Sequence, residues 1–228
     1  MSNDPSYFIH KRFLRETSLR ILFFTRTEGL IEASYRGARK SSTQALLQPF
    51  VPLWLQVQTG NYGSYVQKLE LLGTPLAFKG KVLFSALYVN ELIQRLLKFS
   101  DPQPTLFNMY EATLMALSEM DHPKKTEPML RQFERALLMC CGYGFSFITD
   151  REENKIDPNA TYHFTPTVGF ERSATGLFLG AHLHSIAENQ LSDEAVLKSA
   201  KYIMRCAIAA QLDTPIQSRF GYLLKNAL

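Results

Sequence analysis

Cysteine is scarce in this chain: Cys140, Cys141 and Cys206 are the only three in 228 residues. The number is odd and neighbours 140 and 141 do not bridge each other, so a disulfide framework is excluded. The thiols read as small hydrophobes of a reducing compartment. Long apolar runs are missing too. No segment approaches the roughly 18 uninterrupted apolar residues of a membrane span, and the opening MSNDPSYFIHKRFLRE has no apolar run of signal-peptide length. A cytoplasmic protein with no membrane association is expected. Charged residues make up only 20% of the chain, without long runs of one sign, which argues against a sizeable disordered tail. Catalytic signatures are absent as well: there is no GxSxG, HExxH, Walker loop or dinucleotide fingerprint. The few acids of the N-terminal third are scattered, so magnesium-assisted phosphoryl transfer has no visible ligand set. Neither an enzyme nor a cofactor is expected.

What is present is a large apolar fraction, 46%, enough to fill one large core or two small ones. The net charge of +4 is unevenly spread. Residues 1–82 hold eleven Lys/Arg against five Asp/Glu, and the remainder fourteen against sixteen. The positive field therefore belongs to the first third, where clustered cations favour a polyanionic partner; an acidic protein or a membrane surface fits the charge equally.

Period-two patterning marks this basic third as strands. SLRILFFT sets Leu19, Ile21 and Phe23 against Arg20, Leu22 and Phe24, and GLIEASYR sets Ile31, Ala33 and Tyr35 against Glu32, Ser34 and Arg36. SYFIHKRFL, VPLWLQVQT and SYVQKLELL bring the count to five. Five short strands in about 75 residues avoid bare edges by closing into a barrel, which suggests an OB-fold. After GKV at 80–82 the period becomes helical. A broadly apolar helix over 82–99 is expected to be deeply buried, ending at SDPQP, where Ser100 or Asp101 is expected to cap the next helix. Further helices are expected over about 104–120, 127–141, 179–188, 192–211 and 215–226. The expected fold is therefore α+β, with an OB nucleic-acid-binding domain over 1–80. An all-helical domain over 81–228 follows, interrupted by a loop or hairpin insertion near 143–178.

The segment YRGARKSS concentrates the chemistry. Arg36, Arg39 and Lys40 flank Gly37, whose lack of a side chain lets a backbone approach closely while guanidinium forks grip phosphate oxygens. Phosphate contact is the expected role; a solvated loop tip is the alternative. Lys11, Arg12, Arg15, Arg20 and Arg26 lie on neighbouring strands or turns and are expected to extend the patch into a DNA-binding surface. Trp54, on the polar face of its strand, is either a stacking platform for bases or covered by packing. Alternation assigns Tyr65 to the core. Arg131 and Arg135, four apart beside Phe133 and Leu137, offer a cationic rim to an apolar groove suited to a short acidic peptide. Their alternative is an exposed face paired with Glu127 and Glu134. His182, His184 and Glu188 do not amount to a metal site, since zinc needs three or four convergent ligands.

The order of RETSLRILFFTRTEGLIEASYRGARKSS, LQPFVPLWLQV, FERALLMCCGYG and IQSRFGYLLK resembles the bacterial recombination mediator family RecO over nearly the whole chain. The resemblance implies an OB-fold joined to a helical domain. It also implies a non-enzymatic role: binding single- and double-stranded DNA, annealing complementary strands, and assisting RecA loading together with RecR. Arg131 falls in a block, RQFERALL, that the resemblance associates with binding the acidic tail of single-strand binding protein. Many members carry a four-cysteine zinc site after GYG. This chain has no CxxC pair, so it looks like the zinc-free branch, and its 149–169 loop must be held by packing or be mobile. Localisation in the cytoplasm, at the nucleoid, follows from the same resemblance. An OB module for structured RNA and a protein-only adaptor remain the alternative functions.

Overall fold

The computed structural model describes residues 2–13, 18–38, 40–61, 63–120 and 125–216. Alternating sequences of the first third form β1 (Ser2–Phe13), β2 (Ser18–Thr25), β3 (Gly29–Arg36), β4 (Pro52–Gly60) and β5 (Gly63–Leu71). They close into a barrel in the order β1-β2-β3-β5-β4. Only β3 and β5 run parallel; the other neighbours are antiparallel. This is the five-stranded OB arrangement that the alternation implied. Inward positions such as Leu19, Ile21, Phe23, Leu53, Leu55 and Val66 form its core. Buried Asp4 accepts hydrogen bonds on Oδ2 from the Thr27 amide and hydroxyl, at 2.7 and 2.6 Å, fastening β1 to the β2–β3 turn.

One element escapes the sequence pattern. α1 (Ser41–Leu46) is a six-residue helix, too short for a periodic signal. Ala38 before it and Leu47 after it are fully buried in the barrel core, so the segment is anchored in that core on both sides.

α2 (Gly80–Leu96) and α3 (Pro104–Ser118) follow, and α2 buries nine residues, as its apolar circumference required. The expected cap is different: α3 starts at Pro104 with Gln103 at the N-cap position and no side-chain cap, while Ser100 takes φ 55° outside the helix. Pro104 lacks the amide that would need capping there. Tyr7 and Phe24, outside the barrel core, pack in tilted or edge-to-face contacts, with ring centroids 5.1–5.9 Å apart, against Phe107 and Tyr110 of α3. Tyr110 donates to Asn90 Oδ1 at 2.7 Å and Tyr7 to Glu111 Oε1 at 3.1 Å. Burial first, and nearby Glu111 in addition, push both phenols above their usual range, so both remain protonated donors. Gly29 makes the same junction from the other side. Its φ is 73°, and a Cβ there would lie 2.1 Å from the Asp101 carbonyl oxygen.

The chain divides into two compact units, one running from β1 through α3 and the other from α4 through α6. In the second, α4 (Thr126–Cys140), α5 (Gly180–Ala187) and α6 (Glu194–Ala209) match the expected helices within a few residues. The helix expected over 215–226 lies almost wholly outside the described residues. The expected hairpin is β6 (Thr161–Thr165) with β7 (Gly169–Arg172), joined by a two-residue β8 (Phe178–Leu179) on the other edge of β6. Packing holds this insertion. Phe145, Phe147, Phe164 and Phe170 form a ring cluster with centroids 4.7–6.0 Å apart, and the Arg151 amide donates to the Phe170 carbonyl at 2.8 Å.

Two stability outcomes follow from this packing. Phe107→Ala is expected to cost about 3–5 kcal/mol, the usual loss for a large aromatic in a closed core. Urea unfolding followed by Trp54 fluorescence, a barrel probe, should then show the loss although the substitution is in α3. In α6, the amides of Val196 and Ala195 donate to the Asp193 carboxylate and hold its pKa below the usual aspartate range. A folded pKa lower than the unfolded one means that this cap stabilises above the unfolded value and is lost as pH falls through the folded one. Asp193→Ala should therefore lower the melting temperature near neutral pH, and the difference should vanish in acid.

Candidate nucleic-acid interface

Strand register decides which cations meet. Arg12 of β1 pairs with Arg20 of β2, Arg20 with Ser34 of β3, and Ser18 with Arg36. Because Leu19, Ile21 and Ala33 face the core, Arg20, Glu32, Ser34 and Arg36 face outward by alternation. Arg12, Arg20 and Arg36 therefore share one outer face of three adjacent strands, with Arg20 and Arg36 in diagonal positions. Ser34 also bridges to Tyr65 of β5. Tyr65 is not the core residue that simple alternation implies: the bulge between Gln56 and Val57 resets the alternation, and its ring is 41% exposed beside the cationic row.

The remaining cations distribute differently. Gly37, at φ 71°, begins a tight turn in which the Lys40 amide donates to the Gly37 carbonyl at 3.1 Å. Arg36 and Lys40 are both exposed, and among the described residues neither is in an ion pair. Lys11 turns the other way: its Nζ donates to Gln44 Oε1 of α1 at 2.7 Å and lies 5.8 Å from the Phe8 ring centroid. Arg26 is exposed in the turn after β2, six residues beyond Arg20, or about 20 Å along the strand direction. It sits away from the row. Arg15 and Arg39 lie outside the described residues. The eight expected DNA-binding cations thus divide into a row of three, Lys40 one turn further on, two directed elsewhere, and these last two.

An acid for which the sequence pattern suggested no role sits within the row. Glu32 Oε1 lies 2.8 Å from Arg12 Nη2, and Glu32 Oε2 lies 3.5 Å from Arg20 Nε. Alternation places Glu32 on the face of Arg20, which is the available signal. These pairs are partly open to solvent, so each contributes about 0–1 kcal/mol and holds the guanidiniums in place without sequestering them. A phosphate, which accepts bidentate charge-assisted bonds from Arg, competes readily with such a partner. Trp54, half-buried on the outer side of β4, pairs in register with Pro5 and Glu70.

In the second unit the expected peptide rim is not a rim. Arg131 is only 2% exposed, with Nη2 2.6 Å from Glu134 Oε1 and Nη1 3.6 Å from Glu127 Oε2. Lys201 closes over the same Glu127 at 2.9 Å. The partners Glu127 and Glu134 are those that i,i+3 and i,i+4 spacing indicated; the exposure is not, because α6 packs over this side of α4. Arg135 is committed to its own unit as well. Its Nη1 donates at 3.0 Å to the Ile186 and Ala187 carbonyls that end α5, and its guanidinium lies 5.6 Å from the Phe147 ring centroid. His182 and His184 go to separate partners, Ser199 Oγ at 3.3 Å and the Ile156 carbonyl at 2.8 Å.

Residues 1–75 match the family model described as Recombination protein O N terminal, and residues 78–220 that described as Recombination protein O C terminal. The chain belongs to the RecO family. Among curated RecO proteins, DNA repair protein RecO of Legionella pneumophila (strain Corby) is 40% identical over 204 residues, 89% of each chain. DNA repair protein RecO of Pseudomonas aeruginosa (strain LESB58) is 41% identical over 220 residues, 95% of this chain and 92% of that one. The two RecO family segments meet between residues 75 and 78, just after the barrel, whereas by compactness α2 and α3 go with the barrel. No helix among the described residues is long and apolar enough to cross a membrane.

Removal of the Arg131 guanidinium would leave Glu134, fully buried, without its closest cation. Arg131→Ala is accordingly expected to destabilise the second unit by about 3–5 kcal/mol. A thermal melt read by circular dichroism checks this.

Proposed function

We propose that this RecO family member is a non-enzymatic DNA-binding mediator of recombinational DNA repair. It binds single- and double-stranded DNA on the outer face of the barrel, anneals complementary strands, and assists RecA loading on nucleoid DNA in the cytoplasm. RecR and the acidic tail of single-strand binding protein are its protein partners in this reading. The supporting observation is the convergence of Arg12, Arg20 and Arg36 on one face, with exposed Lys40 one turn away.

The mechanism is charge neutralisation. Cations that offset the phosphates of two strands at once reduce their mutual repulsion, and pairing proceeds without any covalent step. Phosphates carry no base identity, so sequence preference is weak. Glu32 keeps the grip moderate, which suits a protein that must release the strands it has paired.

The test is filter binding of single-stranded DNA across a salt series. Arg36, Arg39 and Lys40 changed together to Ala should weaken binding and flatten the log-log salt slope by about 0.7 for each phosphate no longer neutralised. An unchanged slope removes these residues from the mechanism. Stronger binding of structured RNA at fixed salt would favour an RNA module, and no nucleic-acid binding at physiological ionic strength would favour an adaptor.

A further inference from the structure

Beside the cationic row, and within the same compact unit, lies a groove of about 470 Å³. Its walls include Arg12, Arg20, Leu22, Glu32, Gln94 and Phe99, so one side comes from the strands and the other from α2 and the residues after it. Phe99 is 61% exposed although its backbone is fixed: it forms a parallel bridge with Leu30 of β3, and the Ser100 amide donates to the Leu30 carbonyl at 2.9 Å. A large ring held open to solvent on a pinned backbone is a ready surface for a flat partner. The volume is in the range of small-ligand sites.

The cations add a second component. The two oxygens of Glu32 each face a different guanidinium, at 2.8 and 3.5 Å, so an anion with two acceptor oxygens already bridges Arg12 and Arg20. We propose that this groove takes one unstacked nucleotide of a single DNA strand, with its base on Phe99 above Leu22 and its phosphate between Arg12 and Arg20 in place of the Glu32 carboxylate. Gln94 offers an amide to the base edge, and Arg36 continues the phosphate track beyond the groove. The inference rests on the barrel face being the DNA site and adds a physical basis for preferring single strands. A base inside a duplex is already stacked and paired, so it cannot reach the ring, whereas its phosphates still reach the cations. An acidic peptide would use the guanidiniums but match the flat ring only through an aromatic residue of its own.

The experiment titrates the full chain with oligothymidylate and with a duplex of equal length across salt. Variants are Phe99→Ala, Phe99→Tyr and Glu32→Gln. Phe99→Ala should weaken single-strand binding about tenfold, the loss of one stacked base, with the salt slope and duplex affinity unchanged. Phe99→Tyr should restore binding. Glu32→Gln should tighten binding and steepen the salt slope by about 0.7. Single-strand affinity untouched by Phe99→Ala, or lost equally for strand and duplex, overturns the groove while leaving the barrel-face reading intact. Failure of the native chain to bind either DNA overturns both. Binding of an acidic peptide ending in Phe that Phe99→Ala abolishes, while the same substitution leaves single-strand affinity untouched, would assign the groove to a peptide and also overturn the proposal.

Discussion

β1 hydrogen-bonds to β4 through Ser2–Tyr7 and to β2 through Ser6–Phe13, and the bulge between Phe8 and His10 gives it the bend to serve both. Barrel closure depends on that double use, because an OB barrel is a single sheet whose first strand must reach both neighbours. The same bend positions the candidate face. Beyond it, Arg12 stands opposite Arg20; before it, Tyr7 packs on α3 and Asp4 grips the β2–β3 turn. A strand slipped by one residue would turn Arg12 inward and bring Lys11 out, exchanging the two cations' roles.

Much of this architecture is legible in the sequence because strands of one sheet with one wet face announce themselves by alternation. β2 and β3 are readable to the residue, and alternation puts Arg20, Glu32 and Arg36 on the outer side, where they are. What alternation does not carry is register across strands, and register decides whether Arg12 meets Arg20 and whether Arg26 joins them. It also fails at bulges, which is why it misplaces Tyr65 in the core. Helical periodicity makes Phe99 the last apolar residue of a helix; the helix ends at Leu96, and a β-bridge to Leu30 sets the ring's position, a tertiary contact without local signature. Arg131 illustrates the complementary limit: i,i+4 spacing identifies ion-pair partners but says nothing of what packs over them.

The second unit answers how the insertion after the GYG segment is held in a chain without paired cysteines. Four phenylalanines, two from the segment before the hairpin and two from its strands, replace a point staple with a distributed one. Such a cluster stabilises through burial and ring contacts, and it tolerates small displacements that a metal with fixed ligand distances does not. Arg135 links the cluster to α5 by capping that helix and lying over Phe147. Both arginines that helical spacing offers as solvent-facing therefore work inside the unit.

A surface that pairs two polyanions must bind strongly enough to offset their repulsion and weakly enough to let go of the duplex. Uncompensated cations satisfy only the first requirement. A carboxylate seated between two guanidiniums works toward the second, since a phosphate that binds at Arg12 and Arg20 must displace Glu32, already at the right distance, and the net gain for that phosphate falls accordingly. A ring that accepts an unpaired base adds affinity for the starting strand that disappears once the base is paired. On the proposed reading, Glu32 and Phe99 beside the same cationic row make binding strongest for the single strand and weaker as pairing proceeds, which would give annealing a direction without any chemical step.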